Sequence, residues 1–313
     1  MNPGRAPAGG FPLKRLLLVL GAVATAYAAA LLIWGDSRSA SLSVLWSWTG
    51  FQAALLCLLN YLLRGIRWRL WMAHYGRPLG WWQGLRLYVA GYAFTPTPGN
   101  VGEAVRGLML AHRPLSTAQS LAIFGAERLA DLFCLALLCL PALWWAFTHG
   151  AVQAIPALVY GLLIAGVLLA TVALVLLWRF RVALVQRLAW LEDAARCLRL
   201  QPAIWFSLTL VAWAAQGLAL WMVCRELQVD LSLATAVGFY AVAMVAGALS
   251  ALPAGLGGME AVLVGLLVAH GASPGNALTV TVVVRLLTLW LAVALGLAAL
   301  LYSAAIRRDI SFR

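Results

Sequence analysis

Seven ionisable side chains stand inside segments that are otherwise apolar: Glu103, Arg106, Glu127, Arg128, Asp131, Glu260 and Arg285. An ionised group at the centre of a bilayer costs about 2.5–3.5 kcal/mol on insertion scales, so each needs a partner or a polar cavity. Helical spacing pairs Glu103 with Arg106 and Arg128 with Asp131 at i,i+3, and it sets Glu127 and Asp131 on one face at i,i+4. Two carboxylates on one face require that one be neutral or that a base from another helix hold them. Such a set can glue helices together by ion pairs, or it can recognise a charged headgroup. A carboxylate at Glu103 or Glu260 could also carry protons and couple transport to a proton gradient.

Four of the seven recur in register. Glu103-Ala104 lies 157 residues before Glu260-Ala261, and the same offset joins Pro96 to Pro253, Ser116 to Ser273, Arg128 to Arg285 and Leu129 to Leu286. Matches of Leu and Ala between apolar segments arise by chance. A Glu and an Arg both in register do not arise so easily where charges are scarce, and a repeat is the reading to make before any motif is weighed.

The elements that carry these residues belong to a membrane. The chain has 313 residues, of which 64% are hydrophobic and 10% charged, whereas soluble domains carry about 25% charged residues. A bilayer-spanning helix needs about 20 mostly apolar residues, and the pattern predicts full spans at 16–34, 43–63, 117–147, 153–178, 203–222 and 276–302. Two further apolar stretches, 81–111 and 233–269, are interrupted. The first break holds Pro96, Pro98, Gly99, Asn100 and Gly102, and the second holds Pro253, Gly255, Gly257 and Gly258. Each leaves arms that are short for about 30 Å of hydrocarbon, so both stretches are expected to be re-entrant helical hairpins.

Net charge is +12, from 22 Lys and Arg against 10 Asp and Glu. In a soluble domain this excess would point to nucleic acid, but here the bases fall mainly in loops between apolar segments. With a cytoplasmic N-terminus, 17 bases face the cytoplasm and only Arg38 and Arg225 face the other side, as the positive-inside rule requires. Both termini are then cytoplasmic, and no nucleic-acid partner is expected. In this orientation the first hairpin enters from the cytoplasm and the second from the opposite face, so the two repeats are inverted. Inverted repeats with broken helices place a site near the midplane, open alternately to either side. Half-helix N-termini there would present positive dipole ends to an anionic headgroup.

The remaining features are structural. The stretch 179–200 alternates charge with Val, Leu and Trp at helical spacing and is expected to lie as an amphipathic helix on the cytoplasmic face. Lys14 and Arg15 precede an apolar run longer than the roughly 7–15 residues of a signal-peptide core, so a retained anchor is expected. The five Cys lack CxxC spacing and the four His stand singly near span ends, so neither metal nor cofactor is expected. Most of the 15 Trp lie near span ends, where they anchor helices at the interface. The chain divides into 1–42, a tail and first anchor; 43–152, the first repeat; 153–202, a linking span and interfacial helix; and 203–313, the second repeat and a basic tail.

At PTPGNVGEAVRGLML (96–110), GAERLADLFCLALL (125–138), LPAGLGGMEAVLVGLL (252–267) and HGASPGNALTVTVVVRLL (270–287), the chain resembles the transmembrane flippase-like domain of lysylphosphatidylglycerol synthases and its stand-alone relatives. The resemblance covers roughly 43 to 302 and implies an all-α polytopic lipid translocase of the inner membrane, a transporter rather than an enzyme. It further implies a partner lipid with an anionic or zwitterionic headgroup, and it leaves a homo-oligomer open. The chain ends shortly after Tyr302, so synthesis of an aminoacyl lipid is not expected. Two other classes stay open on the residues alone: an integral-membrane transferase acting on a polyprenyl-phosphate lipid, and a non-transporting envelope scaffold.

Overall fold

Long apolar runs in lipid have one economical solution, a helix that satisfies every backbone group within itself. The computed structural model describes residues 43–97, 100–108, 110, 114–149, 189–250 and 252–306, and within them the chain is an all-α polytopic membrane protein. The expected spans 16–34 and 153–178, the first part of the helix expected at 179–200, and the break residues Pro98 and Gly99 lie outside the described residues. Among the described residues four helices are long and apolar enough to cross a membrane: Trp48–His74, Thr117–Thr148, Pro202–Glu226 and Pro274–Ser303.

In chain order the helices are α1 (Trp48–His74), α2 (Trp81–Ala90), α3 (Thr117–Leu138), α4 (Leu140–Thr148), α5 (Ala189–Arg199), α6 (Pro202–Glu226), α7 (Leu233–Leu249), α8 (Gly258–Ala269), α9 (Pro274–Arg285) and α10 (Leu291–Ile306). Between α2 and α3 run two 3₁₀ segments, Gly91–Phe94 and Val101–Gly107, and a π-turn, Leu286–Trp290, joins α9 to α10. Serine hydroxyls start several of these helices. Ser47, Ser116, Ser232 and Ser273 each accept from the backbone N–H three residues on, and Gln119 closes a capping box with Ser116. Ser116 and Ser273, 157 residues apart, thus do the same work.

Both interrupted stretches fold back on themselves. The 17 residues of α7 and 12 of α8 span about 25 and 18 Å at 1.5 Å per residue, so neither arm crosses the hydrocarbon alone. The first hairpin differs, because its returning arm is the seven-residue 3₁₀ segment Val101–Gly107 and not an α-helix. The residue opening each returning arm is left-handed, Asn100 at φ 56° and Gly257 at φ 84°. These two positions also stand 157 residues apart.

Lipid offers no hydrophobic drive to bring spans together, so close contact depends on small residues and polar ties. α1 and α6 pack lengthwise, and Asn60 Nδ2 donates to Ala212 O at 2.8 Å. α10 lies against the first hairpin, where a Cβ on Gly296 would stand 2.4 Å from Ala93 N. The amphipathic helix also differs from expectation: α5 turns its buried Ala194 and Cys197 inward and packs along α3, with Trp190 seated over Gly125. Protein, and not the lipid surface, covers that apolar face.

Candidate functional site

α1 continues for eleven residues beyond the expected end of its span, because Trp68, Trp71 and Met72 prolong the buried face down to His74. Arg64 and Arg67, expected in a cytoplasmic loop, therefore lie within the helix, and they are 6% and 0% exposed. Charges so placed need partners, and α3 supplies them. Arg64 Nη2 donates to Asp131 Oδ2 and Arg67 Nη1 to Asp131 Oδ1, each at 2.8 Å. Trp213 of α6 adds its indole N–H to Asp131 Oδ1 at 3.2 Å, and Arg67 Nη1 also donates to Thr209 Oγ1 at 2.8 Å. The facing carboxylates of Glu127 and Asp131 are thus held by bases from another helix, Arg67 Nη2 lying 3.8 Å from Glu127.

The first hairpin brings the rest of the cluster. Arg106 Nη2 is 2.5 Å from Glu103 Oε2, and its Nη1 is 3.1 Å from Glu127 Oε2. Its guanidinium lies over the ring of Tyr88 at 4.4 Å and of Tyr92 at 5.4 Å, contacts that favour a desolvated cation. Gly91 leaves room for it, since a Cβ there would fall 2.0 Å from Arg106 Nε. Glu103 Oε1 accepts from Thr95 Oγ1 at 2.9 Å, which ties the carboxylate to the break itself.

Arg128 differs from the other three guanidiniums. Its side chain is 27% exposed, and Nη2 lies 3.5 Å from Glu103 Oε2 and 3.2 Å from Asp131 Oδ2. Nε and Nη2 nonetheless have no hydrogen-bond partner. Among the described residues of this cluster, four guanidiniums (Arg64, Arg67, Arg106, Arg128) meet three carboxylates (Glu103, Glu127, Asp131). With all ionised, one positive charge is in excess, and Arg128 is the cation with solvent access.

The second half holds a simpler pair. Arg285 Nε donates to Glu260 Oε1 at 2.7 Å and Nη2 donates to Ala254 O at 3.0 Å. The in-register Glu and Arg thus meet in both halves, and in both the pair is bonded to its own break. Each carboxylate also sits in the first turn of its returning arm. The positive dipole ends expected to await a headgroup are therefore already met by Glu103 and Glu260, and the arginines take the place facing a ligand.

The two breaks converge on one cavity of 260 Å³. Asn100 comes from the first break, and Leu252, Ala254 and Gly255 from the second; Arg128, Asp131 and Arg285 line the same space. Asn100 Oδ1 has no hydrogen-bond partner. Most of the remaining wall is apolar, with Leu132, Leu135, Met244 and Met259. At its rim Leu132, Ala248 and Leu252 are exposed, whereas Asp131, Trp213 and Met259 at its back are buried. Leu132 is the sixteenth of the 32 residues of the Thr117–Thr148 span, so the rim stands at mid-height of a membrane-crossing helix.

Of the seven ionisable residues singled out in the sequence, five fall in the cluster and two in the second pair, and three of them, Arg128, Asp131 and Arg285, line the cavity; Glu103, Arg106, Glu127 and Glu260 stand behind these as ion-pair partners. Of the break residues, Asn100 and Gly255 line the cavity, while Gly102, Gly257 and Gly258 shape the returning arms. Sequence reasoning missed Arg64, Arg67, Trp213 and Thr209. The continuing helical phase of Arg64, Arg67, Trp68 and Trp71 was the available signal.

A family model described as the lysylphosphatidylglycerol synthase TM region matches residues 15–296. A UPF0104 membrane protein of Methanothermobacter thermautotrophicus is 34% identical over 91 residues, which are 29% of this chain and 27% of that protein.

Proposed function

Because the chain belongs to the family of the lysylphosphatidylglycerol synthase transmembrane region, we propose that it moves a lipid with an anionic or zwitterionic headgroup between leaflets of the cytoplasmic membrane. It does so as a transporter and not as an enzyme. One observation carries this reading: the cavity has a charged end, an apolar body and an apolar rim at mid-height of a span. A water-soluble substrate would need a mouth in water, whereas a rim at that height meets acyl chains. Arg128, the partly exposed cation of a cluster with one positive charge in excess, lines the cavity where a phosphate would sit, and Asn100 lines it from the first break, where its amide could meet an amine or hydroxyl.

Movement follows from the two hairpins. As inverted repeats, each holding its Glu–Arg pair against its own break, they would open the shared cavity to one leaflet and then the other, with both termini cytoplasmic. Proteoliposomes containing the purified protein test this. Labelled phospholipid should cross between leaflets faster than in empty vesicles, while radiolabelled glycerophosphate, a headgroup without chains, should not cross. Flux of glycerophosphate with no lipid movement would overturn the reading.

A further inference from the structure

Besides their returning arms, the two halves differ at a further place next to the site. After Arg128 the helix continues as ordinary α-helix, but after Arg285 it widens into the π-turn Leu286–Trp290, where Leu291 N–H returns five residues to Leu286 O. A π-turn holds one residue more than the α-turn it replaces and recurs at functional positions. Where the hydrogen-bond ladder changes spacing, carbonyls must be satisfied from outside it. Here α1 provides the donor. The hydroxyl of buried Tyr61 donates to Thr288 O at 2.8 Å and to Leu287 O at 3.3 Å, while Thr288 Oγ1 donates back to Val284 O at 2.8 Å.

The π-turn separates two attachments. On its N-terminal side Arg285 grips Glu260 and the break at Ala254; on its C-terminal side Gly296 of α10 lies against the first hairpin. Loss of the extra residue from the turn would rotate Arg285 by about 100° relative to α10, the angle of one helical residue. We infer that Tyr61 is a positioning residue: its hydroxyl holds the π-turn and thereby sets the register of the Arg285–Glu260 pair against the first hairpin. The inference rests on the transport reading only for its purpose, as the joint on which the two hairpins move. Tyr61 also packs on Tyr92, ring centroids 5.1 Å apart, so Tyr61→Phe removes the hydroxyl and keeps the ring contact.

Hydrogen exchange on the full chain in nanodiscs tests it without any transport measurement. Tyr61→Phe should speed exchange of the amides at 288–292 about tenfold, as loss of a buried hydrogen bond does. It should also speed exchange at 255–259, because Arg285 loosens its hold on Ala254. A packing role for Tyr61 on α1 would leave that distant break unchanged. Deleting Leu287 restores a plain α-ladder, and on that background Tyr61→Phe should be silent. Unchanged exchange at 288–292 and 255–259 in Tyr61→Phe, or an equal effect with and without Leu287, would overturn the inference. If lipid movement fails while these exchange effects appear, the transport reading falls and the role of Tyr61 stands.

Discussion

Glu260 and Arg285 stand 25 residues apart in the chain and 2.7 Å apart in space, and the pair repeats the relationship of Glu103 to Arg128, also 25 residues apart and 3.5 Å across. The difference in distance is informative. The second pair is closed on itself and on the carbonyl of Ala254, whereas Glu103 already holds Arg106 at 2.5 Å and leaves Arg128 turned toward the cavity. The structure thus shows one locked arginine and one open arginine lining a common space.

That asymmetry separates stability from ligand recognition. Arg128→Gln leaves three guanidiniums against three carboxylates, so the fold should persist and the unfolding midpoint should shift by only a few degrees. Arg67→Gln removes a fully buried cation from Glu127 and Asp131 and should cost about 3–5 kcal/mol, the usual penalty for breaking a buried ion pair. Thermal unfolding in detergent distinguishes the two. Equal loss in both variants would mean that Arg128 is structural.

Asp131 is the hub, since it accepts from Arg64, Arg67 and Trp213. Asp131→Asn strands two buried guanidiniums and should destabilise by about 3–5 kcal/mol. Adding Arg64→Gln to Asp131→Asn should recover part of that loss, because one stranded charge is gone. A double-mutant cycle on unfolding free energy measures the coupling; strict additivity would contradict a shared ion-pair network.

Two left-handed residues, each opening a returning arm, give a backbone prediction. Asn100 and Gly257 have φ of 56° and 84°. Asn100→Gly should be neutral or stabilising, and Asn100→Val should cost about 1–2 kcal/mol or more, since β-branched residues resist this conformation. Gly257→Val should fail similarly. Stability curves for the three variants settle whether the breaks are built alike.

The cavity rim predicts a steric effect. Leu132 and Leu252 are 40% and 48% exposed at its edge. Leu132→Trp narrows the rim without touching the ion cluster, so it should slow lipid movement while the unfolding midpoint stays within a few degrees of wild type. Substitution to Trp at Leu143, exposed on α4 and absent from the cavity lining, should leave lipid movement unchanged.

Much of this was legible in the residues alone, for physical reasons. Charges are rare in apolar segments, so Glu103, Arg128, Glu260 and Arg285 in register were conspicuous, and the structure brings each pair together. The Pro and Gly clusters marked the breaks because neither residue type sustains a helix. Arg64 and Arg67 were hidden, since an apolar run that ends at Leu63 in Arg64-Gly65 reads as a span meeting cytoplasm. Their partner Asp131 lies 67 residues from Arg64, and hydropathy is blind to such distances. The π-turn at Leu286–Trp290 was equally invisible, because it is sustained by a hydroxyl from residue 61. For α5, amphipathicity told which face is apolar but not whether lipid or α3 covers it.

In the proposed function, lipid passes through the cavity between the breaks by way of Arg128. The most direct test is movement of headgroup-labelled phosphatidylglycerol in proteoliposomes, wild type against Arg128→Gln, with the label read by a membrane-impermeant quencher. Wild type should expose the inner-leaflet pool to the quencher, and Arg128→Gln, folded and equally incorporated, should leave it protected as in empty vesicles. Equal exposure by wild type and Arg128→Gln would contradict it.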